Sequence, residues 1–272
     1  MIKPWNTALE TGLAAIKLAS DRLVAPRGRA SAVVQKVNSA FAGSTRAIDR
    51  DIEEYIVANL NRAHFAVLSE ESGFLCPPGM EYFAVVDPID GTDMALRGLE
   101  FFAVCIACGP LENGRIYLKN IDFSTVCSPK GVFAALKGHG ATLDGETIRA
   151  SAIHDVRQSI IRLPPHRPLA CPLLRHAKSY LYLGSSALEI CAVAQGTLDA
   201  YVEPKRRKVF DYAAAGFIAM EAGARVATLG GLPLPGGRVG PVSRSTLLVA
   251  ANDRLFEQIH RALASETSLR SS

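Results

Sequence analysis

The chain has 272 residues, of which 49% are hydrophobic and 21% charged. This composition is that of an ordinary folded protein and excludes a disordered chain, a coiled coil or a collagen-like fibre; at about 150 residues per domain, the length predicts one large domain or two tightly joined ones. Lysine plus arginine is 30 and aspartate plus glutamate is 26, and the resulting net charge of +4 is too small to indicate a nucleic-acid-binding protein.

The hydrophobic pattern predicts helices and strands that do not alternate strictly, as in an α+β or layered fold. In chain order, helices are predicted over 6–24, 47–61, 187–195, 211–221 and 254–263. Strands are predicted over 65–68, 82–86, 101–108, 114–121, 131–136, 158–163, 179–183, 198–202 and 247–251. Between the first two helices, the small and polar segment 27–45, with basic Arg29 and Lys36, indicates a loop or a hairpin.

The N-terminal residues, the length of the apolar runs and the cysteines together indicate a cytoplasmic protein. The first residues lack the pattern of a signal peptide, and no apolar run approaches the ~20 residues that span a bilayer, so we expect no membrane partner. Cys105 and Cys108 have CxxC spacing within predicted strand 101–108. Residues three apart on a strand face opposite sides and cannot share a metal, so we interpret both as buried thiols of a reducing compartment.

The most informative segment is 87–92, Asp-Pro-Ile-Asp-Gly-Thr, which directly follows an apolar strand. We expect the chain to leave the sheet here, with Pro88 stiffening the turn and Gly91 permitting close approach of a ligand. Thr92 begins a predicted short helix whose first N–H groups favour phosphate. Carboxylates and phosphate share a site readily around Mg²⁺. The alternative is a turn in which Asp90 caps the helix.

Two further acidic positions are candidates for the same site. Glu70 and Glu71 end the preceding strand, so one of them can reach the same sheet edge. Asp211 stands at the start of predicted helix 211–221, whose small residues allow close packing. Taken alone, Asp211 is more simply interpreted as a helix N-cap.

Three acidic segments together resemble the inositol monophosphatase family, part of a lithium-sensitive, Mg²⁺-dependent sugar-phosphatase superfamily. They are Ser-Glu-Glu-Ser at 69–72, the hexapeptide at 87–92, and Phe-Asp-Tyr-Ala-Ala at 210–214 with Glu-Ala-Gly at 221–223. The resemblance implies a layered αβαβα sandwich and a homodimer. Residues 1–140 would carry the metal and phosphate site, and 141–272 the substrate-side residues and the last metal ligand. It also implies hydrolysis of a phosphate monoester by a metal-activated water.

The resemblance further implies roles for individual residues. The ligands of two or three Mg²⁺ ions would be Glu70, Asp87, Asp90, Asp211 and the backbone carbonyl of Ile89. The catalytic set would be Glu70, Thr92 and Asp49, with Thr92 orienting and deprotonating the attacking water and Asp49 bonding to Thr92. The N–H groups of Gly91 and Thr92 would hold the phosphate. The alcohol part of the substrate would meet Gly184, Ser185, Ser186 and Glu203, and Lys36 would lie in a mobile loop.

The chain departs from the family pattern at three positions. Met94 stands where many relatives have asparagine, Phe210 replaces a tryptophan, and Ala224 stands where a second glycine is common. None of these changes removes a ligand, so we expect an active enzyme. They argue against assuming inositol 1-phosphate as its substrate.

The basic run Lys-Arg-Arg-Lys at 205–208 leaves the substrate open. It is either a solvated face, or Arg206 and Arg207 bind a second anionic group of the substrate. We predict hydrolysis of a phosphate monoester on a small polyol, sugar or nucleoside. The partner of the protein would then be a small phosphorylated metabolite. The alternatives are a phosphatase preferring fructose 1,6-bisphosphate or a 3′-phosphonucleotide, a histidinol-phosphate or other biosynthetic phosphatase, and a non-catalytic phosphate-binding relative.

Overall fold

The computed structural model describes residues 3–23, 48–164, 176–234 and 237–269. The predicted loop 27–45, with Lys36, lies outside the described residues. The helices are α1 (Lys3–Leu23), α2 (48–62), α3 (Thr92–Leu96), α4 (Ser186–Ala194), α5 (Ala213–Glu221) and α6 (Asp253–Leu269). The strands are β1 (Phe65–Ser69), β2 (Gly73–Leu75), β3 (Tyr82–Asp90), β4 (Ala103–Pro110), β5 (Ile116–Tyr117), β6 (Phe123–Ser128), β7 (Gly131–Leu136), β8 (Ala141–Leu143), β9 (Glu146–Ile148), β10 (Ile160–Arg162), β11 (Ser179–Leu181), β12 (Ala200–Lys208), β13 (Arg225–Ala227), β14 (Arg238–Val239) and β15 (Arg244–Ala250).

Two large sheets separate the helices into layers. The first sheet has the strand order β2-β1-β3-β4-β6-β7-β8-β9, and the second has the order β11-β10-β12-β15-β13. Helices α1 and α2 cover the outer face of the first sheet, α4 and α5 lie between the sheets, and α6 covers the far face of the second. The predicted αβαβα sandwich is confirmed. The first sheet continues through β9, and the division of the chain at residue 140 stays a prediction.

Regular spacing of apolar residues explains how the outer helices attach to the sheet. In α2, Ile52, Ile56 and Leu60 recur every four residues, which places them on one helix face, and all three are fully buried. Each such side chain contributes about 1.5–3 kcal/mol when it leaves water. This face holds the helix that carries Asp49 against the sheet.

Two segments next to β4 differ from the prediction. Predicted strand 114–121 is too long: among the described residues, Ile116–Tyr117 pair with Arg238–Val239 and Arg115 bridges to Glu112, but Leu118–Asn120 form a 3₁₀ turn. That turn lies so close to β4 that a Cβ on Gly109 would stand 1.9 Å from the carbonyl oxygen of Asn120. The pattern also does not predict β6, a strand in which buried Thr125 satisfies its hydroxyl by donating to the Phe133 carbonyl at 3.1 Å.

The buried-thiol interpretation is confirmed. Cys105 faces the core between the two sheets, whereas Cys108 faces the core beneath α1 and α2. Burial raises the pKa of both thiols, and both are free. None of the helices in the described part of the chain is long and apolar enough to cross a membrane.

Candidate active site

A bulge in β3 brings Asp87 and Asp90 to the same face of the first sheet. Asp87 lies opposite Cys105 of β4 and Asp90 lies opposite Ala103, so three steps along β3 match two along β4. Directly opposed residues share a face, and Cys105 and Ala103 both line the core between the sheets. In a regular strand, residues three apart would face opposite sides. The expectation that the chain leaves the sheet at Asp87 is therefore wrong, because β3 continues to Asp90.

Three carboxylates from different elements converge beside this bulge. Oxygens of Glu70, Asp87 and Asp211 all lie within 4.8 Å of one another. Glu70 follows β1, which pairs in parallel with β3, so both strands end at the same sheet edge. Asp211 ends the 3₁₀ turn before α5, and the N-cap of that helix is Tyr212. The interpretation of Asp211 as an N-cap is therefore wrong.

The electrostatics of this cluster favour a bound cation. Burial raises the pKa of Asp87 well above its usual range, and Asp90, Glu70 and Asp211 raise it further. Burial and the charge of Glu70 raise the pKa of Asp211 to about 6, although Arg207 and Lys208 oppose the shift. A set of carboxylate oxygens matches the ligands that hard divalent cations such as Mg²⁺ prefer. The residues present therefore fit a divalent cation.

Lys208 supplies a positive charge at the edge of the cluster. Its Nζ lies 2.6 Å from Oε1 of Glu70, and both side chains are about one-third exposed. A pair this exposed contributes at most ~1 kcal/mol, so it would yield readily to a divalent cation.

Asp90 links the cluster to the segment before α4. Its Oδ2 accepts hydrogen bonds from the Ser185 hydroxyl and from the Ala187 N–H at 2.9 Å. Burial and the charge of Asp211 raise the pKa of Asp90 to about 7, against the effect of those two bonds. Ser185 is also the N-cap of α4, where its Oγ accepts from the Leu188 N–H at 3.2 Å. Asp90 thus stands beside the three converging carboxylates and fixes the start of α4.

Thr92 and Asp49 lie at one small cavity. The cavity has a volume of about 80 Å³, and its lining includes Asp49, Glu70, Asp87, Ile89 and Thr92. The Thr92 hydroxyl donates to the Ile89 carbonyl at 2.9 Å, so its hydrogen is not directed at Asp49. Asp49 Oδ1 is buried and has no hydrogen-bond partner among the described residues. Burial, together with Glu71, Glu70 and Glu53, raises the pKa of Asp49 to about 7.

Close packing explains the glycines on the substrate side. Gly91 has φ 87°, and a Cβ there would lie 2.8 Å from the Phe101 carbonyl oxygen and 3.0 Å from Cβ of Ser185. Gly91 is the N-cap of α3, so the alternative in which Asp90 caps this helix is wrong. Gly184 has φ 96°, and a Cβ there would lie 3.0 Å from Cε of Met94.

Ser186 and Glu203 are buried and already hydrogen-bonded. The Tyr201 hydroxyl lies 3.2 Å from Oγ of Ser186. Glu203 Oε2 accepts from Arg162 and Arg207, each at 3.1 Å, and Oε1 accepts from the Lys205 N–H at 2.9 Å. Both side chains thus have protein partners, and the contacts with a substrate hydroxyl that the resemblance implies stay a prediction.

The basic run divides into two halves along β12. Lys205 and Arg206 are exposed, and Arg206 donates to the Arg244 carbonyl at 3.0 Å. Arg207 and Lys208 are half-buried and pair with Glu203 and with the acidic cluster. The second half of the run is therefore part of the candidate site.

Comparison with known proteins identifies the family. The sequence profile of the inositol monophosphatase family matches residues 6–268. This chain belongs to that family. It is 33% identical over 192 residues to the fructose-1,6-bisphosphatase/inositol-1-monophosphatase of Methanocaldococcus jannaschii, covering 69% of this chain and 73% of the relative. It is 31% identical over 246 residues to the Nus factor SuhB of Xylella fastidiosa, covering 86% and 85%.

Solved structures support the same fold. The inositol monophosphatase from Anabaena (Nostoc) sp. PCC 7120 is similar with a TM-score of 0.72 at 24% identity, over 96% of this chain and 95% of that one. The inositol monophosphatase-fructose 1,6 bisphosphatase MJ0109 gene product is similar with a TM-score of 0.69 at 26% identity, over 79% and 83%. Against this family pattern, Met94 packs on Gly184 beside the site, whereas Phe210 and Ala224 are buried in the core.

Three buried charged residues of this inositol monophosphatase family member were not predicted. Glu53 accepts from the N–H groups of Glu71 and Ser72 at 3.2 and 3.1 Å, which holds the loop that carries Glu70. Arg162 and Glu189 form a buried ion pair at 2.7 Å. The available signal was a charged residue within an apolar stretch, as in Ile-Ile-Arg of β10 and Leu-Glu-Ile-Cys of α4.

Proposed function

We propose that this protein is a Mg²⁺-dependent hydrolase of phosphate monoesters on small polyols, sugars or nucleosides. The observation that carries the proposal is the convergence of Glu70, Asp87 and Asp211, three oxygen ligands within 4.8 Å. Membership of the inositol monophosphatase family supports the phosphatase class. Relatives named fructose-1,6-bisphosphatase/inositol-1-monophosphatase support phosphorylated sugars and polyols as substrates.

In this proposal, Glu70, Asp87, Asp90, Asp211 and the Ile89 carbonyl would hold two or three Mg²⁺ ions. The bound ions would neutralise the phosphate, lower the pKa of the attacking water and stabilise the leaving alkoxide. The contribution of the chain is then to hold these oxygens at one point and to keep the site rigid. The bulge in β3 and the Ser185 bond to Asp90 serve that purpose.

The water-activating group would be Thr92 with Asp49. Thr92 would orient the attacking water through its hydroxyl oxygen, and Asp49 would accept the displaced proton. Two observations support this role for Asp49: its buried Oδ1 is unpartnered within the described residues, and its raised pKa of about 7 suits a base that works near neutral pH.

The substrate would enter from the side of α3 and α4. The N–H groups of Gly91 and Thr92 would hold the phosphate, and the segment from Gly184 to Ser186 would shape the pocket for the alcohol. Because the Glu203 carboxylate is bonded to two arginines, we infer that it acts on the substrate indirectly, by holding Arg207. Arg206 and Arg207 remain our candidates for binding a second anionic group.

The first experiment is phosphate release from inositol 1-phosphate, fructose 1,6-bisphosphate, adenosine 3′,5′-bisphosphate and histidinol phosphate, with Mg²⁺ and with EDTA. Loss of a residue that supports a metal ligand typically lowers activity by about 10- to 100-fold. Asp87→Asn changes a proposed ligand itself, so it should lower Mg²⁺-dependent turnover by at least that much. The matched control is Asp122→Asn, a half-exposed carboxylate that pairs with Lys137 at 3.2 Å, away from the acidic cluster. Equal activity of Asp87→Asn and the control would refute the metal assignment.

A second candidate function is suggested by the similarity to Nus factors SuhB, which extends over 86% of this chain in one relative. In that case the chain would bind a macromolecular partner, with or without hydrolysis, and the prediction of no nucleic-acid partner remains open to test. Absence of turnover on the whole panel and on a generic aryl phosphate, with an intact fold, would favour this role. Homodimerisation, inhibition by Li⁺ and a cytoplasmic location are further predictions of the family assignment.

A further inference from the structure

A buried arginine outside the proposed reacting groups joins two parts of the site. Arg162 ends β10, and its side chain is 1% exposed. Its guanidinium lies 4.4 Å from the ring centroid of Tyr201 and 4.7 Å from that of Tyr182. A charge this deeply buried is stable only when paired and hydrogen-bonded. Its partners therefore indicate what it holds in place.

The first partner connects Arg162 to the segment before α4. Arg162 Nε donates to Oε2 of Glu189 at 2.7 Å. The other oxygen of Glu189 accepts from the N–H groups of Leu183 and Gly184, the latter at 3.0 Å. Ser185, the next residue, donates to Asp90. One continuous chain of bonds thus runs from Arg162 to a proposed metal ligand.

The second partner connects Arg162 to β12. Arg162 Nη1 donates to the Val202 carbonyl and to Oε2 of Glu203, each at 3.1 Å. The same oxygen of Glu203 accepts from Arg207 at 3.1 Å. The pairing of β12 with β15 shifts register after Glu203 and resumes at Arg207, which lies opposite Ser245, so the sheet holds the backbone of Arg207 but not its guanidinium. Through Glu203, Arg162 therefore sets the orientation of the Arg207 side chain, whose charge acts on Asp211.

We propose that Arg162 is a positioning residue that holds both walls of the substrate pocket, the 183–186 segment through Glu189 and Arg207 through Glu203. This inference rests on the proposed phosphatase function for its catalytic consequence. Its structural part, the ordering of the 183–186 segment, is independent of that function. The two parts are measured separately.

The test compares Arg162→Lys and Glu189→Gln with a matched control, Arg225→Lys. Arg225 also stacks on an aromatic ring, that of Phe256 at 4.1 Å, and also pairs with two carboxylates, but on the side of α6. Glu189→Gln retains an oxygen for the two N–H groups and removes the charge that faces Arg162. It gives a result even if Arg162→Lys does not fold.

The first readout is hydrogen–deuterium exchange of residues 183–187 in the absence of metal and substrate. We expect about tenfold faster exchange there in Glu189→Gln and Arg162→Lys, and no change in Arg225→Lys, because local opening is set by the bonds that hold a segment. Unchanged exchange in both test variants, or an equal increase in the control, would overturn the positioning role.

The second readout is kinetic. The test variants should lower kcat/KM by about 10- to 100-fold, mainly through a raised KM, while the control stays within about twofold of the native protein. Faster exchange at 183–187 without any turnover by the native protein would refute the phosphatase function and leave the positioning role intact. Faster exchange with unchanged kcat/KM would overturn the catalytic part of this inference.

Discussion

Replacing Asp90 with asparagine should stabilise the metal-free protein while it removes activity. Both hydrogen bonds to Asp90 reach the same oxygen, Oδ2, so the amide oxygen of asparagine can accept them equally from Ser185 and Ala187. What the substitution removes is a buried negative charge next to Asp211. A single variant therefore separates the charge from the hydrogen bonds.

The magnitude follows from the pKa of Asp90, which is raised from 3.8 to about 7 in the folded protein. Folding is favoured by the protonated form, so the stability present below the unfolded pKa is lost as the pH rises through the folded pKa. At 1.36 kcal/mol per pKa unit, the rise from pH 5 to pH 8 removes about 2–3 kcal/mol more from the native protein than from Asp90→Asn, in which the other carboxylates of the cluster still titrate. For a chain of this size, that is a relative difference in Tm of roughly 4–12 °C.

The assay is thermal unfolding in EDTA at pH 5 and pH 8, repeated at pH 8 with Mg²⁺, and combined with phosphate release. Asp93→Asn is the matched control, because it removes the same charge from an exposed position on α3. In EDTA, Asp90→Asn should gain in Tm over the native protein as the pH rises. Addition of Mg²⁺ should stabilise only the native protein and the control, by about 2.7 kcal/mol in the free energy of unfolding when the Mg²⁺ concentration is about a hundred times Kd. A pH-independent Tm difference, or full activity of Asp90→Asn, would refute this reasoning.

Three further predictions concern the surroundings of the site. Gly91→Ala should destabilise the protein by about 3–5 kcal/mol, because it combines a positive φ with a clash against backbone. The control Gly98→Ala, with φ 74° and open space, should cost only about 1–2 kcal/mol. Equal urea midpoints of the two variants would contradict the packing described at Gly91. Lys208→Met should tighten metal binding up to about fivefold in calorimetry without phosphate, because it removes a competing ammonium, and weaker binding would instead make Lys208 a support of the site. Arg206→Ala and Arg207→Ala should raise KM for bisphosphates more than for monophosphates; equally unchanged values would exclude a second anion site.

Much of the fold could be predicted because local patterns agree with it. The spacing of Ile52, Ile56 and Leu60 is enough to predict a helix packed on one face. The failures occur where distant residues decide the local structure. Segment 114–121 has a strand-like composition, but the strand it pairs with is Arg238–Val239, far along the chain, and only two of its residues take part. β6 was missed because its buried hydroxyls make the pattern too polar.

In the candidate site, too, the features with a local sequence signal could be predicted and those set by distant residues could not. Glu70, Asp87 and Asp211 could be singled out because each stands in a distinctive sequence segment beside a predicted strand or helix. The support around them could not be predicted. Arg162 meets Glu189 and Glu203 at separations of 27 and 41 residues, and nothing local in the sequence indicates those pairings.

Because the bulge in β3 is one extra residue, the fold could be kept in a related chain that has lost part of the site. Deleting one residue between Asp87 and Asp90 would restore regular pairing with β4, and the strand would lose none of its apolar neighbours upstream. Asp90 would still lie opposite Ala103, on the same face as Asp87. If the deleted residue were Ile89, the site would lose its N–H bond to Asp87 and the carbonyl that accepts from Thr92. The layers and the acidic side chains could thus persist in a chain that lacks the backbone groups between them.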